Sequence, residues 1–401
     1  MMDFTYYTPT KVVFGRQAEE HAAGLIRELG CKKVLIHYGG QSAKASGLLD
    51  RICTNLSQAG LEYVPLGGVV PNPRLSKVRE GIRLCQEENV DFILAVGGGS
   101  VIDSSKAIGY GVLNDCDVWE LYLGKQKPKG CLPVGAVLTI AAAGSEMSES
   151  SVITNEDGWL KRGLSHESSR CRFALMNPEL TFTLPPYQTA CGCVDILMHT
   201  MERYFSQGSS SELTDGISEA LMRTVIHNAR ILKSEPQNYN ARAEIMWAGS
   251  LAHNDLTGCG RGGQGKGRAG DWATHQLEHE LSGIFDVAHG AGLSAIWGSW
   301  ARYVYRENPS RFAQFAVNVM GVPNRFEMPE CTALEGIAAM EAFYRELGMP
   351  TSIPELGIQL NEKDLDLLAY KCSFQNTRTI GDFKKLGRED MRNIYETASR
   401  V

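Results

Sequence analysis

The chain has 401 residues, 43% of them hydrophobic and 21% charged. At about 100–200 residues per domain this suggests two or three domains, with enough interior to fold without disulfide or metal staples. Forty Lys and Arg against 46 Asp and Glu give a net charge of −6, which argues against a general nucleic-acid binder, and the composition excludes disorder and collagen-like repeats. The 11 cysteines are scattered from Cys31 to Cys372 without a CxxC pair, the pattern of reduced, buried thiols. The opening Met-Met-Asp-Phe-Thr-Tyr-Tyr lacks the charged and apolar regions of a signal peptide. No apolar run reaches the length of about 18 residues that a membrane span needs. The expected compartment is the cytoplasm.

In chain order, short β-rich runs at Val12–Phe14, Lys33–Tyr38, Glu62–Leu66, Phe92–Val96 and Val134–Thr139 alternate with helical patterns over Ala18–Leu29, Ala43–Ala59 and Ser76–Glu88. Apolar strands separated by helices predict a parallel sheet covered on both faces, with ligands bound at the carboxyl ends of its strands. The strand ending at Tyr38 runs into Gly39-Gly40-Gln41-Ser42, and the one ending at Val96 into Gly97-Gly98-Gly99-Ser100 and a helix start. A tight turn would account for the second glycine run. So would a diphosphate approaching the unpaired N–H groups of a helix N-terminus. No Asp or Glu follows Tyr38 to hold a ribose 2′-hydroxyl. Gly40, Gln41 and Ser42 leave room and donors for a 2′-phosphate, with Lys44 nearby, so the reading favours NADP(H) over NAD(H).

After Pro185-Pro186 the strand signal fades, which places a domain boundary there: an α/β domain over 1–185 and a helical domain over 186–401. Helices are expected near 187–206, 211–234, 239–256, 271–282, 290–306, 308–319, 330–347, 362–374 and 388–400. The run Gly258–Gly270 has seven glycines in thirteen positions and reads as a flexible connector or as a loop lying close to a ligand. On the first of these helices Asp195 and His199 are about 40° apart around the axis and share one face. His275 and His279 repeat the spacing, and His289 follows. Each pair alone is ordinary; one carboxylate with several imidazoles is a good ligand set for Fe²⁺ or Zn²⁺. His21, His37, His166, His227 and His253 lack such company and read as structural or surface residues.

Taken together, Pro71-Asn72-Pro73, Gly97-Gly98-Gly99-Ser100-Val-Ile-Asp103, Leu138-Thr139 through Gly144-Ser145-Glu146, Asn177-Pro178-Glu179-Leu180, Asp195-x-x-x-His199 and Gly270-Asp271-Trp272-Ala273-Thr274-His275 running to His289 resemble the iron-dependent (group III) alcohol dehydrogenase family over nearly the whole chain. The GDWATH segment and the glycine turn after Tyr38 are most similar to its butanol dehydrogenase and NADPH-dependent aldehyde reductase branch. The resemblance implies a Rossmann-like dinucleotide-binding domain, an all-α metal-binding domain and an active site in the cleft between them. It implies metal ligands at Asp195, His199, His275 and His289. Cofactor contacts are implied at Gly40, Ser42, Gly97, Gly98, Gly99, Ser100, Thr139 and Lys161. His279 would lie near nicotinamide and substrate as a non-ligand and catalytic proton relay, and the assembly would be a homodimer. The chain departs from the branch at Gln41, which often is a third glycine, and at Ala141-Ala142-Ala143, which lacks a threonine common before Gly-Ser-Glu. The expected reaction is hydride transfer between NADP(H) and a primary alcohol/aldehyde pair. Rivals are a dehydroquinate-synthase-like or glycerol-dehydrogenase-like metal enzyme, for which Arg261, Lys266 and Arg268 would supply basic groups, and a catalytically silent nucleotide-binding protein.

Overall fold

The computed structural model describes residues 1–208, 211–261 and 269–400. The chain divides into two compact units, one of Tyr7–Leu184 and one of Pro185–Val401 together with Met1–Tyr6.

The first unit runs β1 (Lys11–Phe14), α1 (Ala22–Glu28), β2 (Lys33–Tyr38), α2 (Ser42–Ala45), α3 (Leu48–Gln58), β3 (Glu62–Leu66), α4 (Leu75–Glu87), β4 (Phe92–Gly97), α5 (Gly99–Leu113), α6 (Val118–Tyr122), β5 (Val134–Leu138), β6 (Ser150–Asn155), β7 (Leu160–Ser165) and β8 (Phe173–Met176). Six strands form a parallel sheet in the order β1-β8-β5-β4-β2-β3, and β6 and β7 form an antiparallel hairpin. The central strands β4, β5 and β8 are buried throughout, so they read as continuous apolar runs. Ile26, Leu49, Ile52 and Leu56 of α1 and α3 pack with Ile36, Leu94 and Val137 of the sheet. After β3 the chain crosses back to lay β4 on the other side of β2, so the winding direction reverses between β2 and β4. Ligands bind outside the carboxyl ends of such a pair, and these ends carry the two glycine turns.

The second unit is helical: α7 (Pro186–Tyr204), α8 (Glu212–Ser234), α9 (Tyr239–His253), α10 (Ala273–Phe285), α11 (His289–Val304), α12 (Pro309–Asn318), α13 (Pro329–Glu346), α14 (Glu362–Cys372) and α15 (Arg388–Ala398). The expected fold class, a parallel α/β half followed by a helical half, is the one observed. Several boundaries differ. The helix expected over Ala18–Leu29 begins as a 3₁₀ turn at Ala18–His21, and the one over Ala43–Ala59 is broken at Gly47, whose φ of 69° ends α2 and starts α3. The hairpin and β8 carried no signal strong enough to predict them. Among the described residues no helix is long and apolar enough to cross a membrane.

Two buried charges on α5 tie the hairpin and the segment before it to that helix. Lys106 donates to the carbonyls of Ser145, Ser148 and Ser150 at 2.7, 2.8 and 2.9 Å. Asp103 accepts from Ser145 Oγ and Val152 N at 2.9 Å each. Burial pushes the Asp103 carboxyl up to about 6, against the pull of Lys106. Lys106→Met would leave three carbonyls and one carboxylate without their cation. We expect a loss of about 3–5 kcal/mol in urea unfolding; a loss under about 1 kcal/mol would mean that the lysine does not hold this region.

Candidate active site

The second unit builds its site from three helices. Pro186 occupies the first turn of α7, where its missing N–H costs nothing. The helix is buried almost continuously from Gly192 to Tyr204. Asp195 and His199 therefore project into protein, at 4% and 5% exposure. The start of α10 is fixed by Asp271, whose carboxylate accepts Ala273 N at 3.0 Å and Asp382 N and Phe383 N at 2.7 Å each. His275 follows in the first turn. α11 begins at His289. A Cβ on Gly290 would collide with the Cys191 carbonyl of α7, and one on Gly292 would lie 2.8 Å from Glu278 Cγ. The sequence His-Gly-Ala-Gly thus lets α11 press against both α7 and α10.

This packing turns three imidazole nitrogens toward one carboxylate oxygen, Asp195 Oδ1. His199 Nδ1 lies 3.3 Å away, and His275 Nε2 and His289 Nε2 lie 3.7 Å away. Asp195 Oδ1, His199 Nδ1 and His275 Nε2 are buried without a hydrogen-bond partner. Buried polar atoms left this way are costly. Ligands at about 2.0–2.2 Å from a tetrahedral ion stand about 3.3–3.6 Å apart, close to these separations. The donor set and its spacing fit a divalent cation. Burial works against the Asp195 charge, but His199, His289 and His275 outweigh it and hold the carboxyl below its usual range. Burial, with the positive potential of His275 and Arg203, pushes the His199 pKa down despite Asp195, toward the neutral form that a ligand imidazole takes. Burial opposes protonation of His275, yet Asp195 and Glu202 raise it to about 9, so a cation at Nε2 would displace a proton there.

His279, one turn beyond His275, is half-buried with its ring centroid 5.8 Å from that of His289. Sequence reasoning missed two acids. Glu202 Oε1 accepts both the backbone N–H and Nδ1 of His275, at 3.0 and 2.9 Å, and Glu278 pairs with His289 Nδ1. The signal was present: His199-x-x-Glu202 and His275-x-x-Glu278 put an acid one turn after an imidazole on both helices. His253, set apart as lacking company, is buried with its ring 3.9 Å from that of His199.

In the first unit, Gly40 and Ser42 follow β2, and a Cβ on Gly40 would meet nothing within 4 Å. Gly97–Ser100 lead from β4 into α5. Cβ atoms on Gly98 and Gly99 would come within 2.8 Å of Ile140 and 2.9 Å of Ala143, so these glycines also let the segment after β5 fold over the helix start. Thr139 N donates to the Gly97 carbonyl at 3.1 Å, which places Thr139 at the same edge. Lys161, on β7, is buried and donates to Asn72 Oδ1 at 3.0 Å. Lys44 lies 5.4 Å from the Tyr38 ring centroid. Residues 262–268 of the glycine run, including Lys266 and Arg268, lie outside the described residues. Arg261 is buried and bonded to Asp215 and the Tyr204 carbonyl.

Two family models match the chain: "Iron-containing alcohol dehydrogenase" over residues 9–178 and "Fe-containing alcohol dehydrogenase family, C-terminal" over 189–399. A probable NADH-dependent butanol dehydrogenase of Bacillus subtilis is 41% identical over 99% of this chain and 100% of its own. The NADPH-dependent aldehyde reductase YqhD of Escherichia coli is 32% identical, again over 99% and 100%. The crystal structure of NADH-dependent butanol dehydrogenase A from Thermotoga maritima superposes with a TM-score of 0.94 at 38% identity, covering 100% of this chain and 99% of that one.

Gly290→Ala tests the close approach of α11 to α7. We expect it to cost about 1–3 kcal/mol by overpacking and to weaken metal uptake by displacing His289; denaturant unfolding and metal analysis of the same sample check both. Unchanged values for both would show that α11 has slack at this contact.

Proposed function

The chain belongs to the iron-containing alcohol dehydrogenase family, a class that interconverts alcohols and aldehydes with NAD(P)(H), and on that premise we propose that Asp195, His199, His275 and His289 hold one divalent cation, Fe²⁺ or Zn²⁺. The observation that carries this reading is the convergence of three imidazole nitrogens on Asp195 Oδ1, with three of the four atoms buried and unsatisfied. When bound, the cation supplies Lewis acidity toward an alcohol or carbonyl oxygen, and the nicotinamide gives or takes hydride at C4.

The chain's own residues do the rest. Asp195 supplies negative charge to the cation site, which the facing sides of α7, α10 and α11 build. His279 is the proton relay: it takes the hydroxyl proton in oxidation and returns it in reduction, directly or through one water. In the 7–184 unit, Gly40, Ser42, Gly97, Gly98, Gly99, Ser100, Thr139 and Lys161 contact the dinucleotide. Their positions at the ends of β2, β4 and β5, with Lys161 on the hairpin, support this reading. The residues of the turn after Tyr38 carry no carboxylate, and Lys44 lies on α2, which follows it. Both features support NADP(H), with NAD(H) as the second cofactor; named relatives use one or the other. The branch supports a homodimer, and the 11 free cysteines support a reducing cytoplasm.

His275→Ala should abolish metal uptake and turnover while leaving dinucleotide affinity within a factor of about two, read by metal analysis, nicotinamide absorbance and cofactor titration. Full activity in metal-free buffer would refute the ligand assignment. Gly40→Asp places a carboxylate in open space beside the ribose site. It should lower the NADPH to NADH ratio of kcat/KM by about tenfold, or about 1.4 kcal/mol. An unmoved ratio would mean that the 2′-phosphate does not sit there.

A further inference from the structure

We propose that Glu202 and Glu278 are positioning residues of the metal centre, each holding the Nδ1–H of one imidazole so that its Nε2 faces Asp195. The inference rests on the reading that Asp195, His199, His275 and His289 hold a cation. Both glutamates are almost fully enclosed, at 2% and 0% exposure. Glu202 receives His275 Nδ1 at 2.9 Å, and Glu278 pairs with His289 Nδ1. In both rings the opposite nitrogen, Nε2, is the one turned to Asp195 Oδ1, 3.7 Å away. A ring that gives Nδ1–H to a carboxylate presents an unprotonated, more basic Nε2.

The two acids form a directional chain. Glu202 lies on α7 and holds a ligand of α10; Glu278 lies on α10 and holds a ligand of α11. Each acid therefore serves the next ligand-bearing helix, α7 to α10 and α10 to α11, and the three are linked in sequence order. The space for Glu278 is built in: a Cβ at Gly292 would stand 2.8 Å from its Cγ and 2.9 Å from its Oε1. A buried acid used only for packing would not need to meet the nitrogen opposite the site in both rings. His199 provides the contrast. Its Nδ1, the nitrogen 3.3 Å from Asp195 Oδ1, is the one turned to the site, while its ring packs 3.9 Å from that of His253 and Arg203 donates to its carbonyl at 3.1 Å.

The test is zinc titration of the chelator-stripped full-length protein against a chromophoric chelator, with the wild type, Glu202→Gln, Glu278→Gln and a control, Glu219→Gln. Glu219 is a buried acid bonded to Tyr204 and Asn318, away from the ligands. The wild type should bind one zinc. Each imidazole-facing variant should bind it about 10–100-fold more weakly, with thermal stability of the stripped protein lowered no more than in the control, whose zinc affinity should stay at the wild-type value. Wild-type affinity in both glutamine variants overturns the positioning role and leaves the metal reading intact. A wild type that binds no zinc overturns the metal reading and this inference with it. Should a variant fail to fold, nitrogen-15 NMR of histidine-labelled, zinc-loaded wild type decides: protonated Nδ1 on His275 and His289 is expected, and protonated Nε2 on either overturns the proposal.

Discussion

The second unit is organised around one buried carboxylate oxygen, Asp195 Oδ1, and the three imidazole nitrogens that face it. An ionised carboxylate at 4% exposure is expensive to bury. No lysine or arginine neutralises it within this set. It is faced instead by rings delivered from α7, α10 and α11, and those rings reach it only if the three helices touch. Helix spacing in the interior and ionisation at the centre are thus two aspects of one constraint.

Glycine is how the chain meets that constraint. At Gly290 the close contact is with the backbone of α7, so no rotamer change would make room for a methyl group. At Gly292 it is with the Glu278 side chain, so the same short motif that brings α11 in also leaves a compartment for an acid. The first unit uses glycine similarly at Gly98 and Gly99, where the segment carrying Ile140 and Ala143 closes over the start of α5. The Ala143 methyl group is part of that packing.

Much of this was legible in the sequence because it depends on local periodicity. The strands Lys33–Tyr38 and Glu62–Leu66 have the expected limits, and the nine helical segments after Pro185 match observed helices within a few residues. The missed elements had weak local signals. β6 and β7, Ser-Ser-Val-Ile-Thr-Asn and Leu-Lys-Arg-Gly-Leu-Ser, are short, polar and packed on one another outside the main sheet. In the site, the i, i+4 spacing brought Asp195 and His199 together on paper, whereas their meeting with His289 depends on how helices pack. The same holds for Glu202. Its position one turn after His199 was visible, but its partner is His275, 73 residues away. His253, read as structural or surface, is buried and packs on His199: isolation along the chain is not isolation in space.

The start of α10 shows how strain and function are joined. Trp272 adopts φ 60°, ψ 7°, a left-handed conformation that costs a bulky residue about 1–3 kcal/mol. Gly270, at φ 128°, turns the chain just before it. Three backbone N–H bonds to Asp271 offset that cost and fix where the helix begins. Beginning at Ala273 makes His275 the third residue of the helix, and a helix leaves its first four N–H groups without internal partners. Glu202 Oε1 takes the His275 N–H as well as the ring Nδ1–H. One buried oxygen therefore caps the helix and orients the imidazole together. A start one residue earlier or later would move the ring about 100° around the helix axis and break both bonds. The strained turn at Trp272 thus helps to fix the His275 imidazole opposite Asp195 Oδ1, although its own side chain is not among the converging groups.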